Sequence, residues 1–168
     1  MYFNIPLNVA VLMIVAGLIT DAVLEPFIAI IADKTDCLKV IKTGIFILII
    51  LIMPVFYLLS SGNLLYITSG LILLSCIIAI ICAPLNAYMV SLFPKEFRYS
   101  GFGVAFNIGT SLFGGTAPLV MLWLIGITGN VMAPAGYYIA GAIVGLFSLF
   151  LCEMSKKEVI YFESITIG

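Results

Sequence analysis

Two carboxylates, Asp21 and Glu25, interrupt an otherwise apolar run over residues 7–32. Their spacing of four places them one helical turn apart on the same face. An ionised carboxylate inside hydrocarbon is costly, so such a group is protonated, paired or at work on a pathway. One reading of Asp21 is therefore a group that takes up and releases a proton, or one that meets a cationic substrate. The other is a structural carboxyl, hydrogen-bonded across a helix bundle or paired with a residue outside this chain. Glu25 lies nearer the expected inner face, where it suits a gate. Further along, Asn107 stands among small residues, and Pro84 and Asn86 precede Tyr88. An amide inside a bundle serves as interhelical glue or lines a pathway.

Other chemistries find no residues to carry them. The sequence contains no histidine, and Cys37, Cys76, Cys82 and Cys152 show no CxxC spacing, so they read as reduced thiols and no metal or other cofactor is expected. Hydrolysis within the membrane needs paired catalytic groups, yet Asp21 is the one aspartate inside an expected span. No P-loop is present, which leaves ATP-driven work without a motif. The chain is read as not being an enzyme.

The elements that hold these residues must lie in a membrane. Hydrophobic residues make up 64% of the 168-residue chain and charged residues 9%, against about 25% charged in an ordinary soluble domain. Its few scattered Lys and Arg cannot form a nucleic-acid surface. The predicted fold is an all-α integral membrane domain over 1–154, with five spans at about 7–32, 43–60, 64–93, 101–127 and 131–152, and a short cytoplasmic tail over 155–168. Counted back from Asp33 at the interface, Asp21 lies about 18 Å deep at 1.5 Å per residue.

The connections alternate in character. A charged loop over Asp33 to Lys42 and a charged hinge holding Lys95, Glu96 and Arg98 alternate with the bare turns Ser61-Gly62-Asn63 and Thr128-Gly129-Asn130. With the N-terminus outside and the C-terminus inside, all seven Lys and Arg face the cytoplasm, as the positive-inside bias requires. The start MYFNIPLNVAVLMI lacks a basic signal-peptide n-region. An odd number of spans beginning outside, with no basic anchor before the first, points to a missing upstream part; a short uncharged tail that simply translocates is the alternative. Behind the hinge, Gly101, Gly103, Gly109, Gly114 and Gly115 thin one helix for close packing, and Pro118 removes a backbone donor from it. Gly141 and Gly145 form a GxxxG pair.

The run FPKEFRYSGFGVAFNIGTSLFGGTAPL, followed by TGN and then APAGYY, resembles the last third of the metabolite:proton symporter family of the major facilitator superfamily, proline/betaine transporter type. Its elements are Phe93-Pro94, Arg98-Tyr99-Ser100-Gly101, Asn107, Gly114-Gly115-Thr116-Ala117-Pro118 and Tyr137-Tyr138, in the family's order. Residues Pro26 to Lys39 resemble the superfamily's cytoplasmic loop motif in part: Asp33 and Lys34 match, whereas Ala29 and Asp36 replace its glycines and Cys37 and Leu38 its basic pair.

The resemblance implies that the five spans are the last five helices of a twelve-helix transporter in a bacterial-type inner membrane. It implies uptake of a small zwitterion or organic acid with a proton. Asp33, Lys34 and Arg98 then belong to a cytoplasmic gate, with plain topological anchoring by loop charge as the alternative for each. Asn107, Gly114, Gly115 and Pro118 then line a pathway or pack against a neighbouring helix. The lipid bilayer and a separately encoded N-terminal half are the implied partners, and the chain alone is expected not to transport. A non-transporting remnant of the same descent is the competing reading.

Overall fold

The computed structural model describes residues 6–166, with side chains described through Met154. Among the described residues five helical segments are long and apolar enough to cross a membrane. They are α1 (Leu7–Lys34), α2 (Cys37–Leu59), α3 (Leu64–Ser91), a fourth segment over Arg98–Thr128, and α6 (Ala133–Thr166), whose apolar stretch is Ala133–Met154. The fourth segment is built of α4 (Arg98–Gly109), a π turn (Thr110–Gly114) and α5 (Gly115–Thr128). No strand occurs among the described residues.

Asn63 and Asp36 cap the helices that follow them, and Asn130 closes the turn that leads into α6. Asn63 Oδ1 accepts the Leu65 amide at 3.0 Å, and Asn130 Oδ1 accepts the Met132 amide at 2.9 Å. Gly129 ends the fourth segment at φ 64, a left-handed conformation that a Cβ would strain. Asp36 does the same work for α2 as Asn63 does for α3, accepting the Leu38 amide at 3.0 Å. That cap differs from expectation. Instead of a charged loop running to Lys42 and a span from 43, α2 begins at Cys37, leaving Lys39 and Lys42 on the helix. At the other terminus, α6 continues as helix through Thr166, where a short tail from 155 is expected; the tail's side chains lie outside the described residues.

Facing residues give the helix directions. Gly17 of α1 faces Leu71 and Ser75 of α3, and Glu25, two turns on, lies within electrostatic range of Cys82, so α1 and α3 run parallel. Gly44 faces Ile80 and Ile81 while Leu58 and Leu59 face Gly70, so α2 runs antiparallel to α3. Along the α2–α6 seam, the Phe56 and Tyr138 rings meet at a tilt of 56° with centroids 5.9 Å apart, and Lys42 meets Glu153. The helices thus stand in the order α1, α3, α2, α6. One end of the bundle, the hinge end, carries residues 35–36 and 92–97; the other, the turn end, carries 60–63 and 129–132.

Packing centres on α2. Ile41, Ile45, Leu48, Ile52, Val55 and Phe56 are buried there against Ile77 and Tyr88 of α3 and Ala135, Ala142 and Leu149 of α6. Two glycines allow the closest helix approaches. A Cβ at Gly17 would lie 2.9 Å from Ser75 Oγ, and one at Gly44 would lie 2.8 Å from Ile81 Cγ1. The fourth segment differs from the rest: its apolar window has 0% of its residues buried. Its hinge is held where Gly101 sits under the Phe93 ring, but a Cβ at Gly103, Gly109, Gly114 or Gly115 would meet nothing within 4 Å.

Candidate functional site

The carboxylates lie where α1 turns its one packed stripe to α3. Along α1 the partly or fully buried positions include Met13, Gly17, Asp21 and Glu25, four residues apart, and Ala32 two turns further on, while Leu18, Ile19, Val23 and Phe27 are exposed. Asp21 and Glu25 therefore share the α3 side of the helix, as their spacing predicts. Both lie within electrostatic range of the Cys82 thiol on α3. The Gly17–Ser75 approach one turn earlier draws the two helices together.

This closeness shuts water and hydrogen-bond donors away from one edge of the group. Asp21 Oδ1 is buried and has no hydrogen-bond partner. Neighbouring Thr20 does not supply one, since its hydroxyl donates to Ala16 O at 2.9 Å. Among the described residues no Lys or Arg forms an ion pair with Asp21 or Glu25. A buried carboxylate oxygen without a partner is costly unless a donor or a positive charge meets it. The crease thus presents two carboxylates, one with a buried unpartnered oxygen, on the side of α1 that faces α3.

The remaining sequence candidates are dispersed. Asp33 and Lys34 are exposed at the end of α1, and neither forms an ion pair with a described residue. Arg98 is half-buried, its Nε donating to Phe93 O at 3.5 Å across the hinge. The structure thus places Asp33, Lys34 and Arg98 at the same end of the bundle without joining them. Asn107 is exposed and donates from Nδ2 to Gly103 O of its own helix at 2.7 Å. Gly114, Gly115 and Pro118 follow on the uncovered fourth segment, around the π turn. Of the residues before Tyr88, Pro84 is fully buried and Asn86 exposed, while Tyr88 itself is 6% exposed. A surface concavity lies at the turn end, lined by Tyr57, Ser60, Ser61 and residues 129–132, away from the carboxylates.

One pair was not singled out by the sequence. Lys42 Nζ donates to Glu153 Oε2 at 2.6 Å, joining α2 to α6 at the hinge end. The partners are 111 positions apart, so only the adjacency of α2 and α6 could have revealed them.

Comparison with curated proteins now bears on what such a bundle does. Over 151 residues, 85% of the chain, it is 32% identical to an ectoine/proline transporter of Corynebacterium glutamicum. Over 138 residues, 82% of the chain, it is 30% identical to the proline/betaine transporter of Escherichia coli. The chain is a homologue of proline/betaine transporters. A glycine betaine/proline/ectoine/pipecolic acid transporter of Dickeya dadantii is similar too, at 30% identity over 89% of the chain. The match spans 29%, 27% and 30% of these three relatives, less than a third of their length. No protein-family model matches the chain. No solved structure matches it either. The homology and the five apolar helices make this a multi-pass membrane protein of transporter descent.

Proposed function

We propose that this chain is the carboxy-terminal part of a proton-coupled symporter for a small compatible solute such as proline or glycine betaine. The observation that carries the reading is the similarity over 82–89% of the chain to proteins named as transporters of such solutes. It lies in the inner membrane with its N-terminus outside and its C-terminus in the cytoplasm, the orientation that the placing of Lys and Arg favours. It is a transport component and not an enzyme.

Coupling is assigned to Asp21, with Glu25 as the next acidic group toward the cytoplasm. The buried, unpartnered Oδ1 supports this, because a carboxyl with no internal partner gains most from a proton delivered during transport. Asp33, Lys34 and Arg98 form the cytoplasmic gate together with the other helices of a complete transporter. Asn107, Gly114, Gly115 and Pro118 then face those helices, which suits the uncovered state of the fourth segment. With one wall of a midplane site, the chain transports only together with the upstream helices of the fold, in the same polypeptide or in a separate one.

The test is uptake of radiolabelled proline and glycine betaine by transporter-deficient cells expressing the chain, with and without a proton uncoupler, after membrane insertion is confirmed. Insertion without uptake is expected. Uptake abolished by the uncoupler would overturn the claim that the chain is incomplete as a transporter. A non-transporting remnant is the second reading, favoured by the altered loop motif, where Asp36 serves as a helix cap and Asp33 and Lys34 stand exposed.

A further inference from the structure

The seam between α2 and α6 is fastened along its length, and its last fastening is ionic. At the turn end the tilted rings of Phe56 and Tyr138 pack together, and midway Ile45 Cδ1 lies 3.9 Å from where a Cβ on Gly145 would stand. At the hinge end the Lys42–Glu153 pair closes it at 2.6 Å, with the two side chains 35% and 32% exposed. Lys42 is flanked on α2 by buried Ile41 and Ile45, and Glu153 lies one turn beyond buried Leu149 on α6. Both backbones are therefore fixed by the core, and the charges meet at its rim. Glu153 also lies within electrostatic range of Tyr88 on α3, as does Asp36, the cap of α2.

From this geometry we infer that Lys42 and Glu153 form a clasp that makes α2 and α6 move as one body. The consequence concerns the α6 extension. The helix runs unbroken through Thr166, so the clasp links that extension to the start of α2 and, through the Asp36 cap, to the short turn after α1. A rotation or slide of α6 must either carry the 35–36 turn with it or part the pair. The two residues act as positioning residues for the hinge end, and the inference stands whether or not the chain transports.

Half-buried Cys152, beside Glu153, reports the state of the clasp. The full chain in phospholipid vesicles is treated with N-ethylmaleimide, and the modification rate at Cys152 is read by peptide mass spectrometry. The variants are K42Q, E153Q and the exchanged pair K42E/E153K. K42Q and E153Q change the charge near the thiol in opposite senses, so simple electrostatics moves their rates apart. Release of the clasp instead raises both, by about two- to five-fold for a half-exposed pair, and K42E/E153K returns the rate to the starting value. A K42Q rate that is unchanged or slower overturns the inference, as does failure of the exchanged pair to restore protection. Should a single variant fail to insert, recovery of insertion and protection in K42E/E153K supports the clasp, and continued failure overturns it.

Discussion

Replacing Gly17 with alanine probes the contact that brings α1 and its carboxylates onto α3. The added methyl would stand 2.9 Å from Ser75 Oγ, with the next atom, Leu71 O, at an ordinary 3.8 Å. The overlap is a few tenths of an ångström and involves one hydroxyl. Turning Ser75 out of its favoured rotamer costs about 1 kcal/mol, while alanine in place of glycine within a helix gains about 1 kcal/mol in water. G17A alone should therefore change stability little. The informative quantity is the coupling with S75A, which removes the obstructing oxygen. Reversible unfolding in mixed detergent micelles of the parent, G17A, S75A and G17A/S75A should give a coupling of about 1 kcal/mol in favour of the double variant. Additivity within about 0.3 kcal/mol would refute the reasoning, because it would mean that Gly17 and Ser75 do not face each other and that Asp21 is not packed on α3 as described.

Gly44 is more confined. A Cβ there would meet Ile81 Cγ1 at 2.8 Å, Ile80 Cγ2 at 2.9 Å and the Ile81 backbone nitrogen at 3.4 Å, so G44A should destabilise by about 1–3 kcal/mol in the same micelle assay. D36A removes the cap of α2 and should cost about 1 kcal/mol, whereas D36N should cost much less; equal losses would argue against capping. In a chimaera in which this chain replaces the matching part of the Escherichia coli relative, D21N should abolish uncoupler-sensitive proline uptake while leaving insertion unchanged. Uncoupler-sensitive uptake at the unsubstituted level would remove Asp21 from the coupling role.

Much of the bundle was legible because membrane helices announce themselves by length and composition. The five spans, the two bare turns and the shared face of Asp21 and Glu25 follow from apolar run lengths and the helical period. The start of α2 is not legible in the charge pattern for a physical reason: Lys39 and Lys42 look like loop residues by charge, yet the Asp36 cap begins a helix beneath them, and long lysines reach a polar rim from within a helix. Glycine content alone could not show which glycines pack. Gly17, Gly44, Gly70 and Gly101 face neighbours, whereas Gly103, Gly109, Gly114 and Gly115 face none in this chain. The GxxxG pair likewise divides, with Gly145 near α2 and Gly141 near nothing within 4 Å. The Lys42–Glu153 pair depended on which helices are adjacent, a property of the fold that no local pattern carries.

The central claim is that this chain supplies one wall of a compatible-solute pathway. The most direct measurement is labelled proline uptake in transporter-deficient cells that co-express the chain with the complementary upstream part of the Escherichia coli relative, each fragment also being expressed alone. Uncoupler-sensitive uptake in the co-expressing cells, and in neither single strain, is the predicted result. No uptake in the co-expressing cells, with both fragments inserted and bound to one another, would contradict the claim.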